Sequence, residues 1–116
     1  MTDTNIENMI NTATAAILDR KGYDVVSLHV GKVSIIADYF ILASASNKSQ
    51  LDALVDSVEE KMKDAGQTLK NREGRSTGGW VLLDYNEIVI HLFLEEMRDF
   101  YSLDSTWRDV DRKEYK

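Results

Sequence analysis

Trp80-Val81-Leu82-Leu83-Asp84-Tyr85-Asn86-Glu87-Ile88-Val89-Ile90-His91-Leu92-Phe93 is the stretch that decides the fold. Apolar β-formers flank a break at Tyr85-Asn86, and Asn tolerates the positive φ of a tight turn, so the segment reads as two strands in a hairpin. A two-residue turn sets Asp84 opposite Glu87, Leu82 opposite Val89 and Trp80 opposite His91. Side chains alternate between faces along a strand, so Val81, Leu83, Ile88, Ile90 and Leu92 share one wholly apolar face that belongs in a core. The other face carries Trp80, Leu82, Asp84, Glu87, Val89 and His91. An apolar centre with a charged rim is the pattern of a surface that docks another protein.

Outward from the hairpin, helical and strand periods alternate. Thr4-Asn5-Ile6-Glu7 reads as a capping box, after which Ile6, Ile10, Ala13 and Ile17 repeat at helical spacing. Arg20 and Lys21 suit the last turn of that helix, and Gly22 its stop. Val25 to Val30 reads as a strand, Gly31 to Ile35 as a loop, and Ala37 to Ala43 as a strand buried on both faces. Ser46 or Asn47, with Gln50, caps a long helix whose stripe is Leu51, Leu54, Val55, Val58 and Met62, and Gly66 ends it. Thr68 to Arg72 reads as an edge strand, and Glu73 to Gly79, with three glycines, as a mobile loop. Met97, Phe100, Tyr101 and Leu103 predict a last short helix, with Glu95 and Glu96 at its start. The predicted fold is α+β: a mixed five-stranded sheet with helices packed on it. Residues 1–107 form one domain, and the charged tail 108–116 has little to bury and is expected to be disordered.

Composition narrows the function. A chain of 116 residues can bury one core, and without cysteine it has neither disulfides nor thiolate chemistry. A net charge of −6 argues against direct nucleic-acid binding and favours a basic protein partner. No apolar run reaches the length of a membrane span, and Met-Thr-Asp-Thr-Asn is unlike a signal or transit peptide, so the expected location is the cytoplasm.

Chemistry is largely missing from the pattern. There is no nucleophile elbow, no phosphate loop and no Gly-Lys pair, and Gly78-Gly79 precedes a strand rather than a helix. His29 and His91 with Asp84 or Glu87 offer the elements of a metal site, but none of the short ligand spacings, so packing or hydrogen bonding is the preferred role. Asp38 offers a general base or metal carboxylate. With no second acid two residues away, it is better read as an acceptor for the amides of the Gly31–Ile36 loop. Glu59, Glu60 and Asp64 read as a solvated helix face partly paired with Lys61 and Lys63. No catalytic residue, cofactor or metal is expected.

Several ordered segments carry a family resemblance. They are Ala37-Asp38-Tyr39-Phe40-Ile41-Leu42, Arg72-Glu73-Gly74, Gly79 to Tyr85, Val89-Ile90-His91-Leu92-Phe93, and Glu96 to Trp107 with Arg98, Tyr101 and Leu103. Together they resemble the ribosomal silencing factor (Iojap-like) family from Asp24 to Trp107. The resemblance implies a nucleotidyltransferase-like fold without the catalytic acid pair. It also implies a translational repressor that binds a protein of the large ribosomal subunit, universal protein number fourteen, and blocks joining of the small subunit. Family members are often homodimers when free. Carried over residue by residue, the partner-binding surface falls on Trp80, Leu82, Asp84 and His91, with Phe93 and Tyr101 at its margin. Three local departures stand out: Ser34-Ile35-Ile36 where two serines are common, Ala45 where Gly is frequent, and Leu94-Glu95 in place of Thr-Pro. Two rival functions follow from the same residues: a nucleotidyltransferase-like enzyme using Asp38 and a metal, and a structural homodimer joined through the hairpin face.

Overall fold

Burial alternates along the first strand of the hairpin: Val81 and Leu83 are fully buried, while Trp80, Leu82 and Asp84 are half-buried between them. The computed structural model describes residues 2–35 and 37–116, with side chains described from residue 4 onward. Ile36, the end of the expected loop, lies outside the described residues. In chain order the elements are α1 (Thr2–Asp19), β1 (Tyr23–His29), β2 (Tyr39–Ala45), α2 (Lys48–Asp64), β3 (Asn71–Arg75), β4 (Trp80–Asp84), β5 (Ile88–Leu94), α3 (Glu95–Tyr101), α4 (Leu103–Thr106) and β6 (Asp111–Tyr115). A 3-10 turn, Ser76–Gly78, links β3 to β4. The sheet order is β3-β4-β5-β2-β1-β6, with β2 and β5 parallel and the other neighbours antiparallel. The mixed α+β architecture is as expected, with six strands rather than five.

Two apolar clusters lie on opposite faces of this sheet. Beneath α1 and α2, Ile6, Ile10, Ala13 and Ile17 meet the α2 stripe and the inward residues Val81, Leu83, Ile88, Ile90 and Leu92. The expected α2 cap is shared: Asn47 Oδ1 accepts from Gln50 N at 2.8 Å, and Gln50 Oε1 accepts from Ser46 N at 2.7 Å. The second cluster is Val26, Leu28, Phe40, Leu42, Val89 and Phe93, covered in part by Met97, Leu103, Trp107 and Val110.

Several expectations need correction. The hairpin register is Trp80 opposite Phe93, Leu82 opposite His91 and Asp84 opposite Val89. The turn is longer than two residues because Tyr85 is 3% exposed and continues the inward face of β4 instead of capping the loop. Asp84 Oδ1 accepts from Asn86 N at 2.8 Å, Asn86 takes φ 79, and Tyr85 N donates to Ile88 O. A shift of two keeps every side chain on its predicted face, because the strand period is two.

The boundaries of α1 also differ. The helix already includes Thr2, so Thr4 lies inside it rather than capping it. It ends at Asp19, leaving Arg20 and Lys21 beyond the last turn. Lys21, at φ 67, makes the left-handed turn assigned to Gly22; a Cβ on Gly22 would lie 2.4 Å from Ile17 Cγ2.

The edge strand expected at Thr68 to Arg72 is displaced: β3 is Asn71–Arg75, so Glu73, Gly74 and Arg75, expected in a loop, belong to it, and Thr68, Leu69 and Lys70 precede it. The tail 108–116, expected to be disordered, supplies β6, which pairs with β1 from His29↔Asp111 to Val25↔Tyr115. Its side chains are almost all exposed, so main-chain pairing holds it where hydropathy gave no signal. Glu59 pairs with Arg72 on β3 at 3.1 Å rather than with a lysine of its own helix.

Candidate docking surface

Trp80, Leu82 and Asp84 point to the same side of β4, and behind them β5 presents Phe93, His91 and Val89. Strand β5 is central, between β4 and β2, and all seven of its residues are buried. His91 is therefore 5% exposed and Phe93 0%. They form the floor beneath Trp80 rather than a surface beside it, which corrects the expectation of a half-exposed histidine strand. Trp80 lies between core and solvent, half-buried against both of them and against Tyr101 of α3.

The rings form one continuous stack. Trp80 and His91 lie 10° from parallel at 5.9 Å, and Trp80 and Phe93 lie 7° from parallel at 6.0 Å. Tyr101 tilts onto Trp80 at 4.6 Å, and Phe40 meets His91 edge-on at 4.9 Å and Trp107 at 5.4 Å. Trp80 Nε1 donates to His91 Nδ1 at 3.3 Å. Since Nδ1 accepts, the neutral ring carries its proton on Nε2, which is buried and has no partner among the described residues. Burial pushes the His91 pKa down to about 4, so the ring is uncharged at neutral pH.

The chain around Trp80 is shaped to bring Tyr101 over it. Gly79, at φ 78, turns into β4, and a Cβ there would lie 2.5 Å from Met97 Cγ, so α3 can sit this close only over glycine. Ser102, at φ 56, ends α3 and redirects the chain into α4. Arg98, 8% exposed, pins this corner. Its guanidinium donates to both Asp104 carboxylate oxygens at 3.0 Å, to Ser44 Oγ at 3.0 Å and to the Asp24 carbonyl. Arg112 of β6 adds a third bond to Asp104 at 3.0 Å. These hydrogen bonds from Arg98, and secondarily its charge, hold the Asp104 carboxyl below the usual range.

What remains uncovered is an apolar patch of Trp80, Leu82 and Tyr101, the last 38% exposed. Asn71, Glu73 and Arg75 of β3 stand opposite Asp84, Leu82 and Trp80 and make a polar rim. Those rim residues, and the contributions of Phe40 and Trp107, escaped the sequence reading. The signal available was the alternating Asn-Arg-Glu-Gly-Arg run, which has the charge density of a protected edge strand.

The other sequence candidates lie elsewhere. His29 stacks on Tyr39 at 4.5 Å, two strands away from His91. Asp38 does satisfy loop amides, but through its carbonyl, which accepts from Val30 N and Gly31 N at 3.0 Å. Among the described residues no group of three or more His, Asp or Glu side chains could hold a metal ion.

The model of the family described as "Ribosomal silencing factor during starvation" matches residues 3–116. "Ribosomal silencing factor RsfS" of Chromobacterium violaceum is 33% identical over 102 residues, 88% of this chain and 84% of that protein. The protein of the same name from Bacillus subtilis is 29% identical over 106 residues, 91% of this chain and 90% of that one. A crystal structure of a Chromobacterium violaceum protein superposes with a TM-score of 0.85 at 33% identity, covering 89% of this chain and 86% of its own.

Proposed function

The chain belongs to the ribosomal silencing factor family, and from that membership we propose that it represses translation by docking its Trp80 face onto a protein of the large ribosomal subunit. The partner in this reading is universal large-subunit protein number fourteen, and occupation of that protein blocks joining of the small subunit. The mechanism is steric, requires no reacting group or cofactor, and operates in the cytoplasm.

The observation that carries the reading is the aromatic and aliphatic patch of half-buried Trp80 and Leu82 with exposed Tyr101, set on a rigid floor of His91 and Phe93. Ring stacking fixes the indole before any partner arrives, so little side-chain entropy is lost on docking. Trp and Tyr at the centre of a patch with a polar rim have the composition of a binding hot spot. Asp84 and Glu73 at the margin suit a basic partner.

Sedimentation of the protein with isolated large subunits tests the proposal, together with light scattering of subunit association. Co-migration that Leu82→Asp abolishes, with association of the two subunits restored, is the expected result. Self-association alone, without co-migration, overturns it in favour of a structural homodimer.

A further inference from the structure

Helix α3 has seven residues and α4 four, and neither has a side-chain hydrogen bond at its N-cap. Helices this short do not hold themselves in water, so the place of Tyr101 depends on what anchors α3 from outside. Two anchors are present. Met97 lies over Gly79, and Arg98 is locked in the corner it makes with Asp104, Ser44 and Asp24. Tyr101 follows Arg98 by three residues, less than one helical turn, so fixing the guanidinium fixes the direction in which Tyr101 leaves α3.

The same corner reaches the edge of the sheet. Arg112 Nη1 of β6 donates to Asp104 Oδ1 at 3.0 Å, the oxygen that also accepts from Arg98 Nη2 at 3.0 Å. One carboxylate thus joins α3, α4 and β6. We infer that Arg112 is a positioning residue for the docking patch: through Asp104 and Arg98 it holds Tyr101 against Trp80, so the patch is complete only while β6 is paired with β1. The use of this contact chain in docking rests on the function proposed above, whereas the contacts themselves belong to the free protein.

Strand β6 is the element best able to change state. It forms one edge of the sheet, and Asp111 to Glu114 are exposed. Main-chain pairing and the 3.1 Å bond between Ser27 Oγ and the Tyr115 hydroxyl hold it to β1. A strand that buries so little apolar surface opens well before a central one. When it opens, Asp104 loses one of its two cationic partners, and Trp107, just ahead of β6, is less firmly held edge-on to Phe40. The paired and open states therefore differ in contacts at the patch as well as at the edge, which is the requirement for coupling. Coupling is reciprocal, so a partner on the patch tightens β6 by the factor with which paired β6 tightens the partner.

Amide hydrogen exchange and the Trp80 indole N–H resonance of the full chain read the coupling without a partner. That resonance reports the bond to His91 and the ring of Tyr101 over the indole. Arg112, 41% exposed, can be changed without opening either core. Arg112→Gln is expected to raise exchange in α3 and α4 by about two- to five-fold, the range for an exposed ion pair. It should also shift the Trp80 resonance while β4 and β5 exchange as before. Arg112→Lys, which keeps a cation beside Asp104, should restore both readouts. Tyr115→Phe removes the Ser27 bond without touching Asp104, and should raise exchange only at the Tyr115 end of β6. Isolated large subunits should then slow exchange in β6 of the parent chain, and slow it less in Arg112→Gln. A parent chain that ignores large subunits refutes the docking function, and the free-protein readouts still decide the role of Arg112. In Arg112→Gln, an unmoved Trp80 resonance with unchanged α3 exchange overturns that role, as does a rise uniform through the sheet. Equal effects from Tyr115→Phe, or no rescue by Arg112→Lys, overturn it too.

Discussion

Trp80 and His91 fix one another: the indole N–H donates to Nδ1 at 3.3 Å while the two rings lie 10° from parallel. The bond exists only with an unprotonated Nδ1, so protonating His91 removes it. Burial lowers the folded pKa to about 4 from the usual 6.5, so the folded state resists the proton that the unfolded chain accepts. This contribution to stability is complete above pH 6.5 and is lost as pH falls toward 4. A loss of about 3 kcal/mol is expected across that window. Chemical denaturation at a series of pH values measures it, and His91→Phe, which keeps the stack but cannot titrate, should flatten the curve.

Truncating the floor of the first core should be expensive. Leu83 and Ile90 stand opposite each other across the hairpin and are both 0% exposed. Leu83→Ala and Ile90→Ala are each expected to cost ~2–5 kcal/mol, a large part of a typical domain's total. Denaturant midpoints unchanged from the parent chain would refute the assignment of faces.

Substitutions on the patch should divide binding from folding. Leu82→Ala removes half-buried aliphatic surface beside the indole and should leave the melting temperature within a few degrees while weakening large-subunit binding. Trp80→Ala should cost at least ~2 kcal/mol of binding, the scale of a hot spot. It should also lower stability, because His91 Nδ1 loses its donor and Tyr101 its neighbour. Pull-down and thermal melts on the same variants give both numbers.

Asp104→Asn tests the corner that places Tyr101. Arg98 keeps its charge, buried, and exchanges a bidentate carboxylate for one neutral amide oxygen beside its main-chain and hydroxyl acceptors. Breaking a buried pair costs about 3–5 kcal/mol, and about 2–3 is expected here because the Asp104 side chain is 32% exposed. Hydrogen exchange should rise in α3, α4 and β6 before it rises in β4 and β5. A uniform rise would mean that the corner and the sheet open as one unit.

The sequence was most legible where a burial period was unbroken. The α2 stripe, the double-faced burial of β2 and the inward face of the hairpin were all readable from hydropathy alone. Register was not, because Tyr85 has the residue type of a turn and the position of a core residue. Strand β6 was illegible for a different reason: Asp111 to Tyr115 pair through their backbone with a strand far away in the chain, and side-chain composition carries no record of that. The outward face of β4 was legible in the alternation of Trp80, Leu82 and Asp84. Depth was not, since His91 and Phe93 sink below the surface only because β5 is central, and strand order is a long-range fact.

The pairing of β6 with β1 sets an order of events during synthesis. Strand β1 leaves the ribosome early, but its outer edge and the apolar side chains of Val26, Leu28 and Phe40 stay open until Trp107 and Asp111–Tyr115 have been made. A chain interrupted before that point presents an unpaired edge and an uncapped aromatic surface, the features that invite aggregation and degradation.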